Sequence, residues 1–516
     1  MLVTVARPRE PFWIVVVLAA VLTVAGCADQ RPADNRPAGT ATQARSSPPR
    51  TVALGPGADI RAENALSGYP GWRVARSGRG SAIEGYADHA SARPGSPVRL
   101  FVSTTAATFR VRALRFGWYG GALARLVWTS PVIAGVRQPR GVVLAHGMAV
   151  APWRPTLTLP TAGWPPGSYL LRLDAASGAQ RYVPLVIRSP SVAGRLVLVQ
   201  PTTSFQAYNG WGGYDLYQGP DGSYATRARV VSFDRPYSSE AGAGSFFTEE
   251  QPLLTYAERL GLPLAYVSSV DLDLHPHVLD GARGVVSESH DEYWSPGMRA
   301  AVTRARDRGV NVAFFGANAI YRKIRFASSR LGSDRIEINY KDPLEDPLYG
   351  TDNARVTGNW PDPPSADPES SLIGQAYGCF SARAPMVVTD PGGWIWAGSG
   401  AHLGTALPGL VGVEFDVPDA SGAAPSPIGV FARSPENCYG QPVESDVTYY
   451  VARGRAGVFD AGTEGWACGL PTAAMPALSC PRETARPAVR RVIAAATSNV
   501  LWVFASGPAG REHPVR

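Results

Sequence analysis

The chain has 516 residues, 45% of them hydrophobic, with 49 Lys and Arg against 42 Asp and Glu. That composition excludes a wholly disordered polymer, and the length exceeds what one hydrophobic core holds, so two or three folded domains are expected. The formal charge of +7 is nearly all arginine, only Lys323 and Lys341 being lysine. The arginines are scattered among acids, and no basic cluster carries interleaved aromatics, which argues against nucleic acid as a partner.

Arg7 and Arg9 precede an uncharged apolar run from Phe12 to Ala25. The run falls short of the roughly 20 residues that span a bilayer but suits a signal-peptide core. It ends Val24-Ala25-Gly26-Cys27, which resembles the lipobox of bacterial lipoproteins. The resemblance implies cleavage before Cys27, a lipid on Cys27, export, and attachment to a membrane of the cell envelope. An ordinary cleaved signal or a short anchor is the alternative. No later stretch reads as a membrane span. Residues 28–57, rich in Pro, Ala, Arg, Ser and Thr, read as a disordered tether. Cys379, Cys438, Cys468 and Cys480 remain, an even set read as two disulfides in an oxidising compartment. Three connectivities are open, with Cys468 to Cys480 the preferred local pair.

From 58 to 190 the chain reads as short strands between Gly/Pro turns: 82–87, 97–103, 108–116, 156–159, 169–174 and 182–187. This predicts an immunoglobulin-like β-sandwich, in which Tyr169 could simply be a corner tyrosine. From 191 the pattern changes. Strands at 195–200, 264–268, 284–287 and 311–315 alternate with helices at 247–260 and from a Ser295 cap to 308. That alternation predicts a parallel sheet with helices on both faces. Beyond 343 it weakens into loops and scattered strands before a helix-like stretch at 486–504. Residues 191–510 are therefore expected to form an elaborated α/β domain of glutamine-amidotransferase/flavodoxin-like kind.

Open parallel sheets bind ligands beyond the carboxyl ends of their strands. The polar, aromatic loops there are 201–214, containing Tyr208; His290-Asp291-Glu292-Tyr293-Trp294; and 316–322, containing Asn318. His290 and Glu292, two apart at a turn, can face one cavity as a metal ligand and its hydrogen-bonding neighbour. Equally, Asp291 and Glu292 could merely favour the positive end of the next helix. Asp271, Asp273, His275 and His277 alternate in a competing constellation, read as a structural strand-end loop.

These loops, with 231–237, 271–275 and 412–416, resemble the large (β) subunit of N,N-dimethylformamidase over roughly residues 60–510. The resemblance implies an amide-hydrolysing site around a mononuclear ferric ion, Fe(III), held by two tyrosinates and one glutamate. Carried over, Glu292 is the carboxylate ligand, and Tyr208 and Tyr169 are the tyrosinates. His290 lies behind them, Asn318 hydrogen-bonds substrate, Glu414 is a second pocket carboxylate, and Phe459 is a pocket wall. A hard ferric ion suits phenolate and carboxylate oxygens and keeps the phenols ionised. It would polarise an amide carbonyl while Glu414 or His290 moves protons. The expected partners are a small-molecule amide substrate, a membrane through Cys27, and a second copy of the chain. Two other readings compete. One is a binding module for glycan or peptide, motivated by Trp211, Tyr214, Tyr217, Trp294, Trp394 and Trp396. The other is a glutamine-amidotransferase-like hydrolase, weakened because no cysteine lies between 28 and 378.

Overall fold

In the strand Leu196–Gln200 every residue is buried, and alternate side chains enter different cores. Leu196 and Leu198 pack with the helices Gln251–Leu260 and Pro487–Ser506. Val197 and Val199 pack with the helix Pro296–Asp307. A run apolar at every position is what a strand covered on both faces requires. The computed structural model describes residues 59–78, 82–380, 382–473 and 480–515. The signal, the tether and Cys27 lie outside the described residues.

Leu196–Gln200 pairs in parallel with Leu264–Ser268 on one side and Gly284–Ser287 on the other. Asn311–Phe314 and Gly457–Asp460 continue the parallel series. Four antiparallel strands then complete a nine-stranded sheet: Gln441–Val451, Ile428–Cys438, Ala384–Val388 and Ala406–Val411. The region after 343 is thus not mainly loop, since it supplies five of these strands. The expected helix at 247–260 is divided. A π-helical segment, Phe246–Glu250, precedes the α-helix Gln251–Leu260. Pro252 sits in the first α-turn, where its missing N–H leaves no bond unmade.

The strands before 190 form two main sheets and a two-stranded ribbon, Val142–Val143 with Ala149–Val150. One holds Ile83–Ala87, Val98–Thr104 and Leu157–Leu159; the other is centred on Thr108–Phe116 and Gly167–Ala175, flanked by Ala124–Thr129 and Gln180–Ile187. Val98, Leu100 and Val102 of the first share a core with Val111, Leu171 and Leu185 of the second. Arg115 leaves this pair of sheets to meet Glu258 of the Gln251–Leu260 helix at 2.7 Å. The molecule is mixed α/β, mostly sheet, with several sheets and few helices.

The disulfides join Cys379 to Cys438 and Cys468 to Cys480. One expectation needs correcting. The helix Pro487–Ser506 is long and apolar enough to span a membrane by length and composition. It buries Val489, Val492, Ile493, Ala496, Val500, Leu501 and Phe504 in the main core, so its apolarity is accounted for by packing.

Candidate active site

Five strand ends and their loops build the site. Leu196–Gln200 leads into the short helix Thr202–Ala207, whose C-cap is Tyr208. The loop then returns Tyr217 beside it, the two rings stacking with centroids 4.7 Å apart. Gly284–Ser287 leads to His290 and Glu292; the Glu292 amide donates to Ser204 Oγ at 2.9 Å, tying the two loops together. Asn311–Phe314 leads to Gly316 and Asn318. A Cβ on Gly316 would stand 2.3 Å from the Ser289 carbonyl oxygen, so only glycine lets these loops touch. Glu414 opens the strand Glu414–Pro418, and Glu464 follows the strand Gly457–Asp460.

Glu292 is the hub, only 1% exposed. Tyr208 Oη donates to its Oε2 at 2.7 Å, and Tyr217 Oη lies 2.9 and 3.0 Å from its two oxygens. The two phenol oxygens are 2.8 Å apart. Arg322 Nε donates to Glu292 Oε1 at 3.0 Å. Behind Tyr217, Tyr293 Oη donates to its oxygen at 2.9 Å, and Lys341 Nζ donates to Tyr293 at 2.7 Å. Lys341 Nζ also lies 3.4 Å from the Tyr217 ring centroid, and burial and Arg322 pull its pKa well below the ordinary lysine value. Burial works against the Glu292 carboxylate, yet Arg322, Lys341 and His290 outweigh it and hold its pKa down at about 2. Burial, with the Glu292 charge beside them, pushes the phenols of Tyr208 and Tyr293 well above their ordinary value.

A second group adjoins the first. His290 Nε2 lies 3.4 Å from Glu414 Oε2 and 3.5 Å from Glu292 Oε2, while Nδ1 lies 3.4 Å from Glu464 Oε1. Asn318 Nδ2 donates to Glu414 at 2.6 Å, and its backbone N–H donates to Asp416 at 2.8 Å. The Asn318 carbonyl oxygen is buried without a partner. Burial disfavours the imidazolium, but Glu464, Glu414 and Glu292 together raise the His290 pKa to about 10. Burial and the neighbouring Glu464 raise Glu414 to about 8, His290 opposing them.

Of the expected site residues, Tyr208, His290, Glu292, Asn318 and Glu414 come together. Tyr169 does not. It is fully buried in the core of the N-terminal sheets, stacked on Trp164 at 5.4 Å. Its hydroxyl donates to the Pro165 carbonyl at 2.7 Å, as a corner tyrosine does. The second phenol at Glu292 is Tyr217, nine positions past Tyr208 in the same loop. Phe459 packs in the core against Phe315 and Trp466. Among the aromatics that suggested a binding module, Trp294 and Trp396 are 2% exposed core residues. Asp271 caps a helix through Ser268 and pairs with Arg188 at 2.8 Å, a structural role for that residue of the constellation. Glu464 and Lys341 were missed: a lone Glu after a strand and a lone Lys in a loop carry no spacing signal.

The donor set fits a hard metal ion. Three oxygens stand 2.7 to 3.0 Å from one another. Right-angled ligands on bonds of about 2.0 Å are spaced by about 2.8 Å, and all-oxygen sets suit hard cations. His290, Glu414 and Glu464, with ligand atoms within 4.8 Å of one another, could also hold an ion.

No curated protein matches the chain. Among solved structures, one similar segment belongs to a Paenibacillus sp. cycloisomaltooligosaccharide glucanotransferase complexed with cycloisomaltoheptaose. The match has 19% identity and a TM-score of 0.14, covering 23% of this chain and 16% of that one. The family model "N,N-dimethylformamidase beta subunit-like, C-terminal" matches residues 110–479, well over half the chain and all the site residues above. The chain belongs to the N,N-dimethylformamidase beta subunit-like family.

Proposed function

We propose that this protein is an envelope-anchored, iron-dependent hydrolase of an amide C–N bond. The observation that carries the reading is the convergence of Tyr208, Tyr217 and Glu292 oxygens at mutual distances of 2.7 to 3.0 Å. Family membership supports a hydrolase. Tyr208, Tyr217 and Glu292 would hold the ferric ion, with the Arg322 guanidinium keeping the Glu292 carboxylate ionised. Such an ion acts as a Lewis acid on an amide carbonyl.

The remaining chemistry is the chain's own. Asn318, with its carbonyl oxygen unpartnered, offers an acceptor for a substrate N–H. Glu414, whose pKa burial and Glu464 raise, is the group placed to hold a proton and give it to the departing amine nitrogen. Glu464 on Nδ1 and Glu414 on Nε2 fix the His290 ring from both sides, so it takes or returns a proton without turning. We further read residues 58–190 as an immunoglobulin-like domain and 191–510 as a flavodoxin-like one. Cys27 is read as the lipid attachment point that holds both at the envelope.

The test is metal analysis of the purified protein with its visible spectrum. Stoichiometric iron with a tyrosinate-to-iron band, lost in Glu292→Ala, is expected, followed by turnover in a panel of small amides. A folded, colourless protein that iron salts cannot load would sink the reading.

A further inference from the structure

The positive charge is unevenly placed. Between Asp88 and Asp174 there is no Asp or Glu, and there are ten arginines. Five of them reach acids outside that stretch or at its ends: Arg99 to Asp88, Arg112 and Arg172 to Asp174, Arg115 to Glu258, and Arg125 to Glu63. The other five, Arg93, Arg110, Arg137, Arg140 and Arg154, are exposed and form no ion pair among the described residues. Since the whole chain carries +7, the charge outside this stretch is slightly negative. The arginines are therefore not dispersed evenly, as a count over the whole chain suggests.

In the middle of the acid-free stretch, residues 131–146 run along the surface with nearly every position exposed. Val132, Val136, Val142, Val143 and Leu144 are 43 to 54% exposed. This segment is held firmly by its backbone. Ile133–Ala134 pairs with the strand Thr108–Phe116, and Val142–Val143 pairs with Ala149–Val150. Trp153 Nε1 donates to the Pro139 carbonyl at 2.8 Å, and Arg229 N donates to the His146 carbonyl at 2.9 Å. Glu345, which shares Arg229, is taken up by Arg227 and Arg229. Aliphatic side chains are thus presented outward on a fixed frame, next to Arg137 and Arg140.

We propose that the segment 131–146 lies on an anionic lipid surface, with its valines and Leu144 among the headgroups and Arg137 and Arg140 against the phosphates. The composition selects this partner. The segment has no Phe, Tyr or Trp, which single-stranded nucleic acids need for stacking. Aliphatic residues beside basic ones, with no acid near in sequence, suit the boundary of an anionic bilayer, where both kinds of contact add. The inference is independent of the metal reading.

The test uses the full chain reconstituted in phosphatidylcholine vesicles, with or without phosphatidylglycerol. An environment-sensitive fluorophore is attached at Val143→Cys, and brominated lipids serve as quencher. The parent chain reports any labelling at Cys27. The control position is Ala423→Cys, on the exposed loop between the strands Glu414–Pro418 and Ile428–Cys438. Quenching several-fold stronger at 143 than at 423, requiring phosphatidylglycerol and abolished by R137E/R140E, is expected. Equal quenching at the two positions overturns the proposal, as does quenching indifferent to lipid charge and to R137E/R140E. Shielding of the 143 label without lipid, in a chain that sediments as a dimer, assigns the surface to a second copy and overturns it too.

Discussion

Replacing Arg115 by Met should destabilise the protein by about 3 to 5 kcal/mol, because it strands a buried carboxylate. The guanidinium is 0% exposed and donates to Glu258 at 2.7 and 3.1 Å, to Tyr119 Oη at 2.8 Å and to the Pro166 carbonyl at 2.9 Å. Glu258, 1% exposed, would keep only the Tyr266 hydroxyl. Methionine fills most of the volume, so the loss reflects the uncompensated charge rather than a cavity. Removing both partners, in R115M/E258M, leaves Glu63 held by Arg125 at 2.7 Å and no wholly unpaired charge, and should restore most of the stability, to within about 0 to 2 kcal/mol of the parent. Urea unfolding with intact disulfides, followed by fluorescence and circular dichroism, gives each free energy. The cycle should return a coupling of several kcal/mol, above the roughly 0.5 to 3 kcal/mol that neighbouring contacts ordinarily show. A loss of about 1 kcal/mol or less in R115M would refute the reasoning. So would a double variant as unstable as the sum of the two single ones, since the pair would then contribute no mutual compensation.

Other outcomes follow from the site. Tyr217→Phe should weaken and shift the tyrosinate-to-iron band, leaving the Tyr208 contribution, or cut iron content sharply, while Tyr169→Phe leaves both unchanged; iron analysis and spectra of the two variants check this. Tyr293→Phe and Lys341→Met should move the band to longer wavelength. Each removes part of the donor chain that steadies the Tyr217 oxygen at 2.9 Å, and a less stabilised phenolate gives up an electron more readily. For the metal-free protein, the His290 pKa is raised from 6.5 to about 10, so its contribution is complete below 6.5 and is lost as pH rises toward 10. Glu414, raised from 4.5 to about 8, acts in the same direction between those values. Urea midpoints should therefore fall between pH 6.5 and 10, less steeply in His290→Gln, and a flat profile would refute the assignment.

The parts legible in the sequence were those where burial leaves a periodic trace. Leu196–Gln200, Leu264–Ser268, Gly284–Ser287 and Asn311–Phe314 are buried at every position and read as continuous apolar runs. Ile428–Cys438 and Gln441–Val451 were not legible. They are eleven-residue strands carrying Pro435, Pro442, Glu436 and Glu444 on partly exposed ends, so alternation is lost for half their length. Missing them hid the fifth parallel strand, Gly457–Asp460, and with it Glu464, which reaches His290 only because that strand lies next to Asn311–Phe314. The carboxyl-edge rule placed Tyr208, His290, Glu292 and Asn318 together because each directly follows a strand of known direction. Tyr217 follows no strand. It returns to Tyr208 through a loop shaped by Asp215, whose carboxylate accepts the amides of Tyr217 and Gln218 at 2.7 and 2.8 Å. The family resemblance put Tyr169 in that place, but strand alternation puts its side chain inside the N-terminal core, stacked on Trp164 and away from Glu292. A second ligand for a strand-end carboxylate is therefore better sought first in the same loop as the first phenol than in another sheet. Two phenols nine residues apart can be held in contact by one turn, whereas two from separate sheets need both sheets fixed to within an ångström.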